Sequence, residues 1–234
     1  NNYLECPWKY FFQNLLRVPS LPSKHQMYGI AVHNALRDFS RKGAGKAKLV
    51  ALFERHLRAQ FLNKEQFYEL SEKGEKALSG YYGRYEWQKP LATELKISGV
   101  KISPDISLSG ILDKLEPLEG GWVNVVDYKT GKPKSRNHIE GKTKDSNGDY
   151  KRQLVFYKIL LDGHGKYKMK TGELDFVEPP YQKERFEITK DETDELKELI
   201  GKVSREILNL DFWDKTCGEK NCKHCVLRKM TGGE

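Results

Sequence analysis

The sequence predicts a mixed α/β fold of the α+β kind, with a central, mostly antiparallel or mixed sheet flanked by helices. Three observations predict it. Apolar residues recur at helical spacing through residues 28–89 and again near 150–161 and 191–208. Between these stretches lie runs rich in Val, Ile and Leu at 91–97, 106–115 and 122–128. The turn Glu119-Gly120-Gly121 joins the last two runs as a β-hairpin. A chain of 234 residues is sized for one domain, 1–234, with a helical region at 28–62 and 64–89, a core at 90–178, and a C-terminal helix with a cysteine cluster at 189–230. It begins Asn1-Asn2-Tyr3 without an initiator Met, as expected of a part excised from a longer polypeptide.

Each element has its own signal. Residues 3–16 open Cys6-Pro7-Trp8-Lys9-Tyr10-Phe11-Phe12, with Pro7 suited to a first helical turn and the aromatics suited to packing. A helix over 28–41 carries the stripe Ile30, Ala31, Ala35, Leu36 and Phe39, and includes His33, a satisfied core or boundary residue on helical context alone. Further helices are predicted over 48–61 and 66–87. The second carries Tyr81, Tyr82, Tyr85 and Trp87, which favour packing over a base-stacking platform. Pro90 stops it, and an alternating strand containing Glu94 follows. A helix over 150–161 places Gln153 and Tyr157 one turn apart on one face. Strands are predicted at 173–177 and 186–188, and Thr189-Lys-Asp-Glu starts a capped amphipathic helix over 191–208.

The chemistry gathers at Asp113 and Asp127-Tyr128-Lys129. A carboxylate in an apolar strand costs free energy unless it is paired, hydrogen-bonded or metal-bound. The hairpin puts Asp113 and Asp127 on adjacent antiparallel strands. Residues two apart on a strand share a face, so Asp127 and Lys129 point one way and Tyr128 the other, leaving the Tyr128 main-chain carbonyl as a further oxygen donor. Hard oxygen donors of this kind suit Mg2+ or Mn2+.

The formal net charge of +8 favours a polyanionic partner. Lys132, Lys134, Arg136, Lys151 and Arg152 lie in a basic loop that leaves directly from the site and suits phosphate guidance. No run of eighteen or more apolar residues and no signal-peptide pattern occur, so a cytoplasmic protein without a membrane partner is expected. There clustered cysteines favour metal over disulfides. Cys217, Cys222 and Cys225 supply three thiolates, and Cys6 is the candidate fourth, tying the two chain ends together. Four thiolates suit a [4Fe-4S] cluster or a zinc ion, and His224 is an alternative fourth zinc ligand.

In order along the chain, Gly29-x-x-x-His33, Gly110-x-x-Asp113, Asp127-x-Lys129 and Gln153-x-x-x-Tyr157 resemble the motifs of the RecB-like branch of the PD-(D/E)XK nuclease superfamily. The layout is most similar to the C-terminal nuclease domain of UvrD/Rep-type or AddB-type helicase-nucleases. The resemblance implies a restriction-endonuclease-like core with a helical N-terminal insertion. It implies His33, Asp113, Asp127 and the Tyr128 carbonyl as metal ligands, Lys129 as the catalytic lysine, and Gln153 and Tyr157 beside the site. It also implies a [4Fe-4S] cluster on one early and three late cysteines. Here Cys217 lies upstream of the C-x-x-C pair, and Met230 follows where the last cysteine is usual; Leu112 replaces the proline of the superfamily name. The implied function is a metal-dependent DNA nuclease acting on ends or single strands in repair or recombination, with a helicase domain in the same chain or complex and products carrying a 5′-phosphate. The competing expectations are a catalytically inactive nucleic-acid-binding scaffold and a metal-bearing docking module.

Overall fold

The computed structural model describes residues 1–42, 45–84 and 87–230. In chain order the elements are α1 (Asn2–Glu5), α2 (Pro7–Tyr10), a π-helical turn (Phe11–Leu15), α3 (Lys24–Lys42), α4 (Lys46–Arg58), α5 (Lys64–Tyr82), β1 (Ala92–Lys101) and β2 (Ser107–Pro117). They continue with a 3-10 turn (Glu119–Gly121), β3 (Trp122–Lys129), α6 (Arg136–Ile139), α7 (Asp149–His164), β4 (Lys168–Phe176), β5 (Gln182–Glu187), α8 (Lys190–Leu208) and α9 (Lys223–Met230). The described residues fall into two compact units. One is Pro22–Leu196, and the other joins Asn1–Leu21 to the residues from Lys197 onward.

The larger unit is built on a five-stranded mixed sheet of order β1-β2-β3-β4-β5. Neighbours are antiparallel except β3 and β4, which run parallel and are joined by the crossover through α7. The β2–β3 hairpin forms as its sequence predicts. Gly120 and Gly121 turn at φ +70° and +77°, a region glycine enters at no steric cost, and the Leu118 N–H closes the loop onto the Trp122 carbonyl at 2.8 Å. α7 packs across β1 to β4. A buried apolar cluster joins α3, α4 and α5 to Val126, Tyr128 and Val177. α5 begins with a reciprocal cap: Gln66 N–H donates to Asn63 Oδ1 at 2.8 Å, and Asn63 N–H donates to Gln66 Oε1 at 3.1 Å. Thr189 and Glu192 repeat that device at α8.

Several boundaries differ from the periodicity, three of them for reasons the structure makes plain. α5 stops at Tyr82, before Pro90, because the chain turns at Gly83 and Arg84. β4 starts at Lys168 because its first residues pair with the start of β3, a partner invisible locally. β5 takes in the polar residues before Phe186 through pairing with β4. The aromatic end of α5 is packing: Tyr81 is buried, and Tyr82 and Trp87 stack on each other and meet Phe39. Tyr85 lies outside the described residues.

The smaller unit is organised by aromatics. Trp8 is buried against Phe11, Phe12, Phe212 and Trp213, and its indole N–H donates to the Lys215 carbonyl at 2.9 Å. Buried Trp keeps a partner for its polar edge, which fixes the ring's orientation. Tyr3 packs edge-on to Phe212 and donates to Glu206. Among the described residues no helix is long and apolar enough to cross a membrane.

Candidate active site

The site lies at the end of β3. β2 and β3 pair from Pro117/Val123 to Lys114/Val126, and beyond that point Asp113 uses its side chain instead, accepting the Tyr128 N–H on Oδ2 at 2.9 Å. An extended residue directs its N–H and C=O to the same edge of the strand. The Tyr128 carbonyl therefore faces the Asp113 side. The Tyr128 ring joins the apolar cluster.

Asp127 is 2% exposed and Lys129 follows it on the same face, with Nζ 2.6 Å from Oδ2. The other carboxylate oxygen, Oδ1, accepts from Gln153 Nε2 at 2.8 Å and from the Tyr157 hydroxyl at 2.7 Å. Gln153 also accepts from Lys129 Nζ at 2.7 Å on Oε1, so one amide spans the carboxylate and the ammonium. The i, i+4 pair on α7 is thus an inward face. The Lys129 ammonium stands 5.1 Å from the centre of the Tyr150 ring, a cation-aromatic contact.

His33 reaches the same place from α3, with Nδ1 3.2 Å from Asp113 Oδ2. Gly29, one turn earlier, lies close to the residue after β3: a Cβ there would stand 3.2 Å from Thr130 Oγ1, a tight contact. Burial alone would lower the His33 pKa, but the hydrogen bond and charge of Asp113 outweigh it and hold the imidazole above its ordinary value. Asp127 is raised, first by burial and then by the neighbouring Asp113 charge, against the lowering pull of Lys129. The structure brings together His33, Asp113, Asp127, Lys129, Gln153 and Tyr157.

One further acid joins them. The β1–β2 register pairs Thr93 with Lys114 and Leu95 with Leu112, which sets Glu94 opposite Asp113. Glu94 adopts φ +51°, a left-handed conformation disfavoured for a side chain of its size. Its carboxyl is raised by burial and by the Asp113 charge, with Arg37, His33 and Arg41 pulling the other way. An acidic residue in a strand was the available signal, but only the pairing of two strands locates it.

The basic loop divides. Arg136 stacks on Phe186 and pairs with Glu184, while Lys151 also lies over Phe186 and pairs with Glu192 at 3.1 Å. Arg152 donates to the Asn147 carbonyl. Lys132 is exposed and Lys134 half-buried.

In the smaller unit Cys6 comes to Cys217, Cys222 and Cys225, with all four sulfurs within 4.8 Å of one another. The His224 ring instead meets Gln13 at 3.4 Å. Burial pushes the Cys6 thiol up to about 12. Burial would raise Cys222 too, but the N–H groups of Cys225 and His224 outweigh it and bring it down to about 7.

Carboxylates on neighbouring strands, beside a lysine held in place by a helix glutamine, form a site of the kind that suits chemistry on a phosphate group. The sequence matches the PD-(D/E)XK nuclease superfamily over residues 1–230, and the chain belongs to that superfamily. A candidate exonuclease from Eubacterium rectale, known from a crystal structure, shares the fold at 12% identity and a TM-score of 0.56, covering 98% of this chain and 87% of that one. The crystal structure of SSO0001 aligns at 15% identity and a TM-score of 0.38 over 95% of this chain and 92% of that one. No curated protein matches the sequence significantly.

Proposed function

We propose that this chain is a divalent-metal-dependent deoxyribonuclease acting on DNA ends or single strands, in repair or recombination and beside a helicase domain of the UvrD/Rep or AddB type. The observation that carries the reading is the convergence of His33, Asp113, Asp127 and Lys129 at one end of β3. The exonuclease description of the Eubacterium rectale neighbour agrees with it.

The donor set fits a hard cation. Burial raises the pKa of both Glu94 and Asp127 and the Asp113 charge adds to it, so a positive charge among these carboxylates would be favourable. His33, Asp113, Asp127 and the Tyr128 carbonyl would hold Mg2+ or Mn2+, the imidazole favouring Mn2+. When bound, such an ion supplies polarisation of the phosphate and a water of lowered pKa. The protein's own part is positioning and charge. Lys129, fixed between Asp127 and Gln153, neutralises charge developing on the phosphate oxygens or orients the attacking water. Tyr157 and Gln153 hold Asp127 in one rotamer. Lys132, Lys134 and Arg152 are the candidates to guide the DNA backbone. Arg136 and Lys151 would contribute once released from Glu184 and Glu192.

The test is cleavage of end-labelled single- and double-stranded DNA with Mg2+, Mn2+ or EDTA, beside Asp127→Ala. Metal-dependent products that vanish in the variant are expected, with stepwise lengths for an exonuclease. Tight binding without cleavage under every metal would overturn the reading and leave a nucleic-acid-binding scaffold.

A further inference from the structure

We propose that Cys6, Cys217, Cys222 and Cys225 hold a single tetrahedral Zn2+ ion, and that this ion, rather than the [4Fe-4S] cluster the superfamily resemblance implies, clamps the first and last segments of the smaller unit. Size distinguishes the two. Sulfurs about 2.3 Å from a central zinc stand about 3.8 Å apart at the corners of a tetrahedron. Here Cys6 and Cys225, Cys217 and Cys225, and Cys222 and Cys6 are each separated by 3.7 Å, and no pair of the four exceeds 4.8 Å. In a [4Fe-4S] cluster each thiolate binds a different iron at an outer corner, which spreads the sulfurs to roughly 6 Å. The cavity between these four sulfurs has room for one ion and none for a cube of eight atoms.

The loops around the sulfurs are alike: the N–H groups of Trp8 and Lys9 lie by the Cys6 sulfur, those of His224 and Cys225 by the Cys222 sulfur, and that of Glu219 by the Cys217 sulfur. Each thiol enters the site as a thiolate and gives its proton to the solvent. The clamp joins residue 6 to residues 217–225, beside the buried Trp8 and Phe12. Such a closure has its largest effect where the sequence separation is long.

The full chain, purified without oxygen from cells supplied with iron and zinc, is analysed for metal and acid-labile sulfide alongside Asp127→Ala, which removes a ligand of the other site. One zinc per chain in the variant, without sulfide or visible absorbance, is expected. Exchange with Co2+ should give the intense visible bands of tetrahedral cobalt thiolate, and Cys217→Ser should weaken and shift them. Iron and sulfide in the proportions of a cluster would overturn the proposal, as would metal-free protein with four reactive thiols. Both readouts are independent of nuclease activity, so a failure of the proposed function leaves this test intact.

Discussion

Gln153 donates to Asp127 Oδ1 at 2.8 Å while accepting from Lys129 at 2.7 Å, so a neutral side chain on α7 sets the position of both charged groups on β3. Replacing it with Leu removes both bonds while both charged residues are retained. Partners of this kind typically contribute 10- to 100-fold. Gln153→Leu is therefore expected to lower kcat by about one to two orders of magnitude with a much smaller change in KM. Single-turnover cleavage beside DNA-binding measurements checks this. A raised KM with kcat unchanged would assign Gln153 to DNA binding.

Glu94 holds a left-handed backbone opposite Asp113, a conformation that costs of order 1–2 kcal/mol and persists only where its surroundings enforce it. If its carboxylate helps to hold the metal, Glu94→Gln should weaken Mn2+ binding roughly 10- to 100-fold by calorimetry. Glu94→Gly should relieve the backbone strain and yet lose the same affinity. Unchanged Mn2+ affinity in both variants would make Glu94 structural.

Gly74 on α5 faces the ring of Phe53 on α4: a Cβ would fall 2.1 Å from Cζ and 2.2 Å from Cε1. Helix propensity favours Ala over Gly by about 1 kcal/mol. Overpacking a buried ring costs about 1–3 kcal/mol. The second effect wins because Phe53 is buried and the overlap involves the ring end-on. Gly74→Ala is expected to destabilise by about 1–2 kcal/mol in urea denaturation. In the Phe53→Leu background the same substitution should become neutral or stabilising.

Asp38 on α3 accepts from Arg37, Arg55 Nη2 at 2.6 Å and His56 Nε2 at 2.8 Å. Burial by itself would raise its pKa, but the His56 and Arg37 hydrogen bonds outweigh it and hold the carboxyl below the ordinary range. A depressed folded pKa gives stability that is present above the unfolded value, near 3.9, and is lost as pH falls through the folded one. The acid limb of a stability profile should accordingly flatten in Asp38→Asn, with little change in slope between pH 6 and 8. A wild-type slope retained in the variant would assign the acid limb to other carboxylates.

Much of the architecture was legible because its signals are local. The hairpin turn, the cap at α8, and the carboxylates in apolar strands all depend on neighbours a few residues away. His33 shows the limit. On helical context it was a satisfied core or boundary residue, and only the approach of α3 to β3 brings it within 3.2 Å of Asp113. Gln153 and Tyr157 likewise look like a helix surface until α7 packs across the sheet.

By itself the sequence determined the element types, the hairpin that sets Asp113 beside Asp127, and the pair Asp127 and Lys129 on one face, because the periods of helix and strand are properties of the backbone. Only the tertiary structure decided which carboxylate joins them, which cations of the basic loop are already paired, and how far apart four sulfurs stand. Those depend on contacts between segments distant in sequence, such as Cys6 and Cys225, whose 3.7 Å separation no local pattern encodes.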